Sequence, residues 1–248
     1  MVQQGDPRFE VSTDEPPSNV VVAGFSQFGL AGLTAVDYLA DHLDLAETGH
    51  VDARGLPTLT PFEQGRPRHH TRLLSRDDVD LTVLVGELFV PVSAAGAFSG
   101  AIFDWVDEHD VDEVVVLSGV PIPHGPDDHR AFYIASEDYR ERHLADDPVT
   151  PMGSGFLDGV NAALVDRGMT SDLAVGVFVT PVHARMPDVD AAIRLVEVVD
   201  RLYDVEVDTG PLEAFGDEVA EYYAELHEHL ERQADHGDRQ MPEDRMFM

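Results

Sequence analysis

Apolar and polar positions along this chain alternate between two patterns. Short β-branched runs recur at Asn19–Ala23 (NVVVA), Asp80–Glu87 (DLTVLVGE), Glu113–Leu117 (EVVVL) and Asp172–Thr180 (DLAVGVFVT). Each is apolar on both faces of an extended chain, as expected for a strand covered from both sides. Between these runs apolar residues return at helical spacing. Leu30, Leu33, Val36, Leu39 and Leu43 predict a helix over 29–44, and Ala95, Phe98, Ile102 and Trp105 predict a second. Phe156, Val160 and Leu164 predict a third, opened by Gly153-Ser154-Gly155 with Ser154 as its N-cap. Val189, Ile193, Val196 and Leu202 mark a long helix, and Val219, Tyr222, Tyr223, Leu226 and Leu230 a last one. Tyr139 and its charged neighbours suggest a short helix, and 49–75 holds two short strands around a Pro/Gly-rich loop.

This alternation predicts an α/β fold: a three-layer α/β/α sandwich on a largely parallel central sheet. Residues 1–18 read as a flexible lead-in with one short edge strand near Phe9–Val11, and 19–232 as a single α/β domain. From about Gln233 the apolar stripe stops, so 233–248 reads as a flexible acidic tail. No apolar run approaches the roughly 20 residues that span a bilayer. The first residues carry no charged segment leading into an apolar one, so the expectation is a cytoplasmic protein without a membrane partner.

Charge is the strongest signal in the composition. Asp and Glu number 48 against 16 basic residues, all of them arginine, for a formal net charge of −32. In dilute buffer such charge strains a compact state, whereas at molar salt the Debye length falls to about 3 Å and the repulsion is screened. The composition therefore reads as halophilic. The acids are spread along the chain and no basic footprint exists, which argues against a nucleic-acid partner. The absence of cysteine and lysine removes thiolate, disulfide, cysteine-metal and Schiff-base chemistry.

Two loops are candidate ligand sites. Gly24, Phe25, Ser26, Gly29 and Gly32 lie where the first strand turns into the first helix, a place where α/β folds hold anions. Leu30 and Ala31 stand where a phosphate-clamping loop needs Lys and Ser or Thr, and the spacing gives no dinucleotide fingerprint. A tight turn requiring small residues is the simpler reading. His124, Asp127, Asp128, His129 and Arg130 follow the third strand, and Glu87 ends the second. Together they form a candidate polar site that could bind a metal or carry acid–base work, although His and Asp are common in solvated loops. Gly153-Ser154-Gly155 lacks the spacing of a nucleophile elbow, His227 and His229 face different ways, and His69-His70 read as solvated. No catalytic set, metal site or cofactor is assigned.

The chain ends Met246-Phe247-Met248 after its acidic spacer. An aromatic ring one residue from a free carboxylate is a compact anchor: the ring fills a pocket while the carboxylate takes a cation or backbone donors. Thirteen or so extended residues reach about 40 Å at roughly 3.3 Å each.

The Gly24–Gly32 loop, Met152-Gly153-Ser154-Gly155, and Thr180-Pro181 with Pro187-Asp188-Val189-Asp190-Ala191-Ala192 resemble the PAC2 family, named for a proteasome assembly chaperone subunit, in its archaeal form. The resemblance runs from about Val20 to Leu230 and rests on glycines and prolines at structural corners. It implies a sandwich similar to nucleoside phosphorylases, with no family-wide catalytic set, in a protein that self-associates. It also implies partners: the 20S proteasome α-subunits, which archaeal members help to assemble or dock on. Proteasome activators end hydrophobic–Tyr–any residue. Phe247 stands in the Tyr place and lacks one hydroxyl hydrogen bond, worth about 0.5–1.5 kcal/mol. The expected function is that of an assembly chaperone or docking factor and not an enzyme. The alternative is an enzyme or small-molecule binder whose two loops converge on one pocket.

Overall fold

The computed structural model describes residues 6–125, 128–183, 187–219 and 221–223. In chain order the elements begin with strands β1 (Arg8–Thr13) and β2 (Val20–Phe25), a 3-10 turn (Phe28–Leu30), and helix α1 (Ala31–His42). Strand β3 (Ala46–Arg54), a small hairpin of β4 (Phe62–Glu63) and β5 (Arg66–Pro67), and strands β6 (Thr71–Arg76) and β7 (Val79–Gly86) follow. Then come α2 (Val92–Glu108), β8 (Glu113–Val120), β9 (Phe132–Ala135) and α3 (Glu137–Tyr139), which runs into a π-helical turn at Arg140–Leu144. The chain continues through β10 (Thr150–Pro151), α4 (Gly159–Thr170), β11 (Ala174–Pro181) and α5 (Val189–Tyr203). A further helix, α6, covers 210–219, and 221–223 are also helical.

One nine-stranded sheet runs β1-β3-β6-β7-β2-β8-β11-β9-β10. Its centre, β7-β2-β8-β11, is parallel, and these are the four strands that the apolar runs predicted. The wings differ from the expectation. β1, β3 and β6 form an antiparallel meander onto β7, and β9 pairs antiparallel with β11, so the sheet is mixed. The reason is local: the two-residue link between β6 and β7 permits only an antiparallel return, whereas parallel neighbours need a crossover helix. β1 lies within the expected lead-in, where Phe9 packs edge-on against Phe98 at 5.2 Å.

Helices cover both faces. α1, α5 and α6 lie on one, over a core that includes Val22, Leu39, Val83, Val115, Phe178 and Leu195. α2 and α4 lie on the other, over Val21, Leu84, Phe98, Trp105, Val116 and Val177. Consecutive residues of one strand thus feed opposite cores, which explains why the central strands read as continuous apolar runs. Among the described residues no helix is long and apolar enough to cross a membrane.

The third predicted helix begins later than its pattern suggests. α4 starts at Gly159 with Asp158 in the N-cap place, so Ser154 caps nothing and Phe156 precedes the helix, fully exposed. Its phase match with Val160 and Leu164 was coincidental.

Candidate functional site at the carboxyl edge of the sheet

The parallel strands all release their chains at one edge, where loops 26–30, 87–91, 121–125 with 128–131, and 182–183 with 187–188 gather. Such an edge is where open parallel sheets place ligands. The Gly24–Gly32 loop is built for packing. A Cβ on Gly24 would lie 2.2 Å from Gly32 O, and one on Gly32 would lie 1.9 Å from Leu117 O. Both glycines are therefore consumed in seating α1 directly on β2 and β8. Gly29 turns at φ 66° against Val182, and Leu30 follows at φ 52°. Phe25 is buried and Ser26 N–H donates to Gly86 O at 2.9 Å, so the Ser26 amide is not free to take an anion as a phosphate loop requires.

Beneath this loop lies a polar group not legible in the sequence. Ser118 Oγ donates to Gln27 Oε1 at 2.8 Å, and Asn161 Nδ2 donates to Gln27 Oε1 and Ser118 Oγ at 3.2 and 3.1 Å. Ser118 and Asn161 are buried, and the trio ties the loop to β8 and to the first turn of α4. Its members satisfy one another, as a locking network must.

The expected polar site is split. His124 and His129 are brought together, with ring centroids 5.1 Å apart, and Asp128 is held in the same turn by Gly125 N–H at 3.2 Å. Asp127 lies outside the described residues. Glu87 belongs to another group: Arg68 donates to its Oε1 at 3.0 Å. Burial raises its pKa against the pull of Arg68 and Arg72. The third partner of the histidines is His183, after β11, 5.1 Å from His124 and 6.3 Å from His129. No sequence spacing flagged it, because strand order alone places it there.

His183 is held by Asp188. The carboxylate Oδ2 accepts from His183 N–H at 2.9 Å and lies 2.8 Å from ring Nδ1, while Oδ1 accepts Ala191 N–H at 3.0 Å as the N-cap of α5. Burial opposes ionisation of Asp188, but these donors outweigh it and hold its pKa below the ordinary carboxylate value. The carboxylate thus fixes the orientation of the His183 ring through its Nδ1.

Beside His129 opens a cavity of about 250 Å³ lined by Arg130, Pro148, Arg194, Glu197 and Arg201, among others. Arg194 donates to Thr180 Oγ1 at 2.9 Å and to Pro181 O at 3.2 Å, and burial draws its pKa down. Arg201 is tied to Asp147 at 3.0 Å. None of the Gly24–Gly32 loop lines this cavity. Among the described residues the side chains grouped closely enough to share a metal ion lie elsewhere, at Glu47, His50 and His69.

The edge also carries exposed apolar side chains from separate loops: Phe28, Phe89, Ile122 and Phe156, with Val92 at the start of α2. Large apolar groups raised on several loops at one edge are what a protein-binding surface needs and a solvated loop does not. The C-terminal Met246, Phe247 and Met248 lie outside the described residues.

Comparison with known proteins places this architecture. The sequence profile of the PAC2 family matches residues 21–227, and the chain belongs to that family. It is similar to the crystal structure of Pyrococcus furiosus PbaA, described as an archaeal homolog of proteasome-assembly chaperone. The TM-score is 0.82 at 21% identity, over 94% of this chain and 97% of that one. Pyrococcus furiosus PbaB, described as an archaeal proteasome activator, matches with a TM-score of 0.74 at 17% identity, over 89% and 99%. The Mycobacterium tuberculosis proteasome-assembly chaperone homologue Rv2125 matches at 0.59 and 19%, over 91% and 97%. No curated protein matches the chain in sequence.

Proposed function

We propose that the protein is a proteasome assembly chaperone or docking factor that works by binding 20S α-subunits. The observation that carries this reading is the apolar edge formed by Phe28, Phe89, Val92, Ile122 and Phe156, supported by a rigid glycine-backed platform. Such residues, once desolvated against a partner, contribute most of the binding energy of an interface. The likeness to PbaA, a homolog of proteasome-assembly chaperone, and to PbaB, a proteasome activator, supports a proteasome partner. In this reading the body holds α-subunits at the edge. Met246-Phe247-Met248 inserts between them, and a homo-oligomer multiplies the weak tail contact through effective concentration.

Small-molecule binding is the second reading, favoured by the arginine-lined cavity. It calls for the two candidate loops to share one pocket, and that cavity takes His129 and Arg130 from one of them and no residue of the Gly24–Gly32 loop, which weighs against it. The test is capture of 20S proteasome and of free α-subunits in molar KCl. The intact chain is compared with one lacking Met246–Met248 and with Phe28→Ser/Phe89→Ser. Capture that falls with either change supports the reading; no capture by the intact chain overturns it.

A further inference from the structure

On the antiparallel wing, away from the carboxyl edge, strand pairing brings together three residues that the sequence keeps apart. Glu47 and His50 stand on β3, and His69 lies between the β4–β5 hairpin and β6. His69 Nδ1 is 2.7 Å from Glu47 Oε1, and the rings of His50 and His69 stack with centroids 3.7 Å apart and planes within 4°. One ligand atom from each residue lies within 4.8 Å of the others. All three side chains reach solvent, with relative exposures of 36% for Glu47, 26% for His50 and 50% for His69. Asp52 Oδ2 stands 3.9 Å from His50 Nε2 as a further acceptor.

We propose that Glu47, His50 and His69 bind one divalent ion of the zinc class, and that the ion fastens the segment carrying the β4–β5 hairpin to β3. Three ligands at about 2.0–2.2 Å from a tetrahedral ion stand roughly 3.3 Å from one another. The grouping closes only when the stacked rings, whose lone pairs lie in nearly parallel planes, turn about their side-chain torsions to face one ion, a movement open to solvent-facing groups on a strand and a loop. Two imidazolium rings at the observed separation repel, whereas one dication satisfies both rings and the carboxylate together. The ligand set selects the ion. Imidazole favours zinc, cobalt, nickel and copper, while magnesium and calcium prefer oxygen. In a chain with 48 carboxylic side chains, hard cations distribute over many weak sites, so the histidine pair is what makes this one distinct. The segment from Gly55 to Arg68 is largely exposed and adds few side chains to either core, so a cross-link there has a structural consequence.

The probe is cobalt(II) titrated into the full chain in molar KCl with excess magnesium, followed by visible absorption and then by zinc displacement. One equivalent is expected to give the bands of a low-coordinate site. His50→Ala and His69→Ala are each expected to weaken binding at least tenfold, and His124→Ala to leave it unchanged. Zinc is expected to raise the Tm of the parent chain and not that of His69→Ala, whose exposed loop position leaves folding intact. Binding that magnesium abolishes, that survives both wing substitutions, or that disappears with His124→Ala overturns the proposal.

Discussion

Gly32 lies directly on the carbonyl of Leu117: a Cβ at that position would come 1.9 Å from the oxygen. Neither backbone can retreat, because β8 is a central strand paired on both sides and α1 is pressed onto it from the opposite direction. Gly32→Ala is therefore expected to destabilise by about 1–3 kcal/mol or to prevent folding. Gly96→Ala is the control, since a Cβ there meets nothing within 4 Å. Denaturant midpoints in molar KCl check the pair.

Asp188 links acid sensitivity to the start of α5. Its folded pKa lies below the ordinary value of 3.8, so its contribution is fully present above that pH. The contribution is lost as pH falls through the folded value, where protonation frees the N-cap and the His183 contact. Asp188→Ala is expected to cost about 0.5–2 kcal/mol at neutral pH from the cap alone. The difference from the parent should shrink below pH 4, as read from urea midpoints across the acid range.

Glu113 is a buried carboxylate at the opposite edge. It accepts from Arg142 at 3.1 Å, His143 at 2.8 Å and Tyr203 at 3.2 Å, with Tyr139 and Tyr203 hydroxyls 3.0 Å apart behind it. Burial raises the pKa of both tyrosines, so they remain neutral donors. Glu113→Ala is expected to cost about 1–3 kcal/mol by leaving the His143 and Tyr203 donors unpaired, while the half-exposed Arg142 turns to solvent. Tyr203→Phe is expected to cost about 0.5–1.5 kcal/mol. Thermal unfolding distinguishes the two.

The apolar edge should behave in the opposite way. Phe28, Phe89 and Phe156 are 60%, 67% and 104% exposed, so Phe→Ser at each is expected to change stability by no more than about 0.5 kcal/mol. The same changes are expected to weaken capture of α-subunits. Parallel unfolding and capture measurements separate a binding role from a folding one.

Salt should act on the whole molecule. With a formal charge of −32, Tm is expected to rise steadily as KCl goes from 0.05 to 3 M, by more than in a chain of balanced charge. Flat behaviour would mean that local pairs such as Arg72–Asp37 and Arg76–Asp78 already offset the repulsion.

The layers were legible in the sequence because β2, β7, β8 and β11 are buried on both faces over most of their length, and α1, α2 and α5 carry continuous apolar stripes. The wings were harder to read. β1 alternates half-buried with exposed positions, and β6 buries Arg72 through its contact with Asp37, a charge that masks the strand pattern. The site was legible only in part, for the same reason. His124 and His129 are neighbours in the chain, but His183, the Gln27–Ser118–Asn161 trio and the Glu47–His50–His69 group are joined by strand order and register. Spacing along the chain does not reveal these. Glu87 shows the reverse error, since ending a parallel strand placed it at the right edge but among different partners.

The two outer strands of the sheet constrain how copies of this molecule can meet. β1 carries Arg8 and Glu10 along its length, and β10 is only Thr150–Pro151, whose proline has no amide hydrogen to offer. Charge on one outer strand and the shortness and proline of the other discourage growth by adding strands from a neighbour, the route to open-ended fibres. Contacts through loops and helix faces are favoured instead, where each patch is finite and a complex can close and stop.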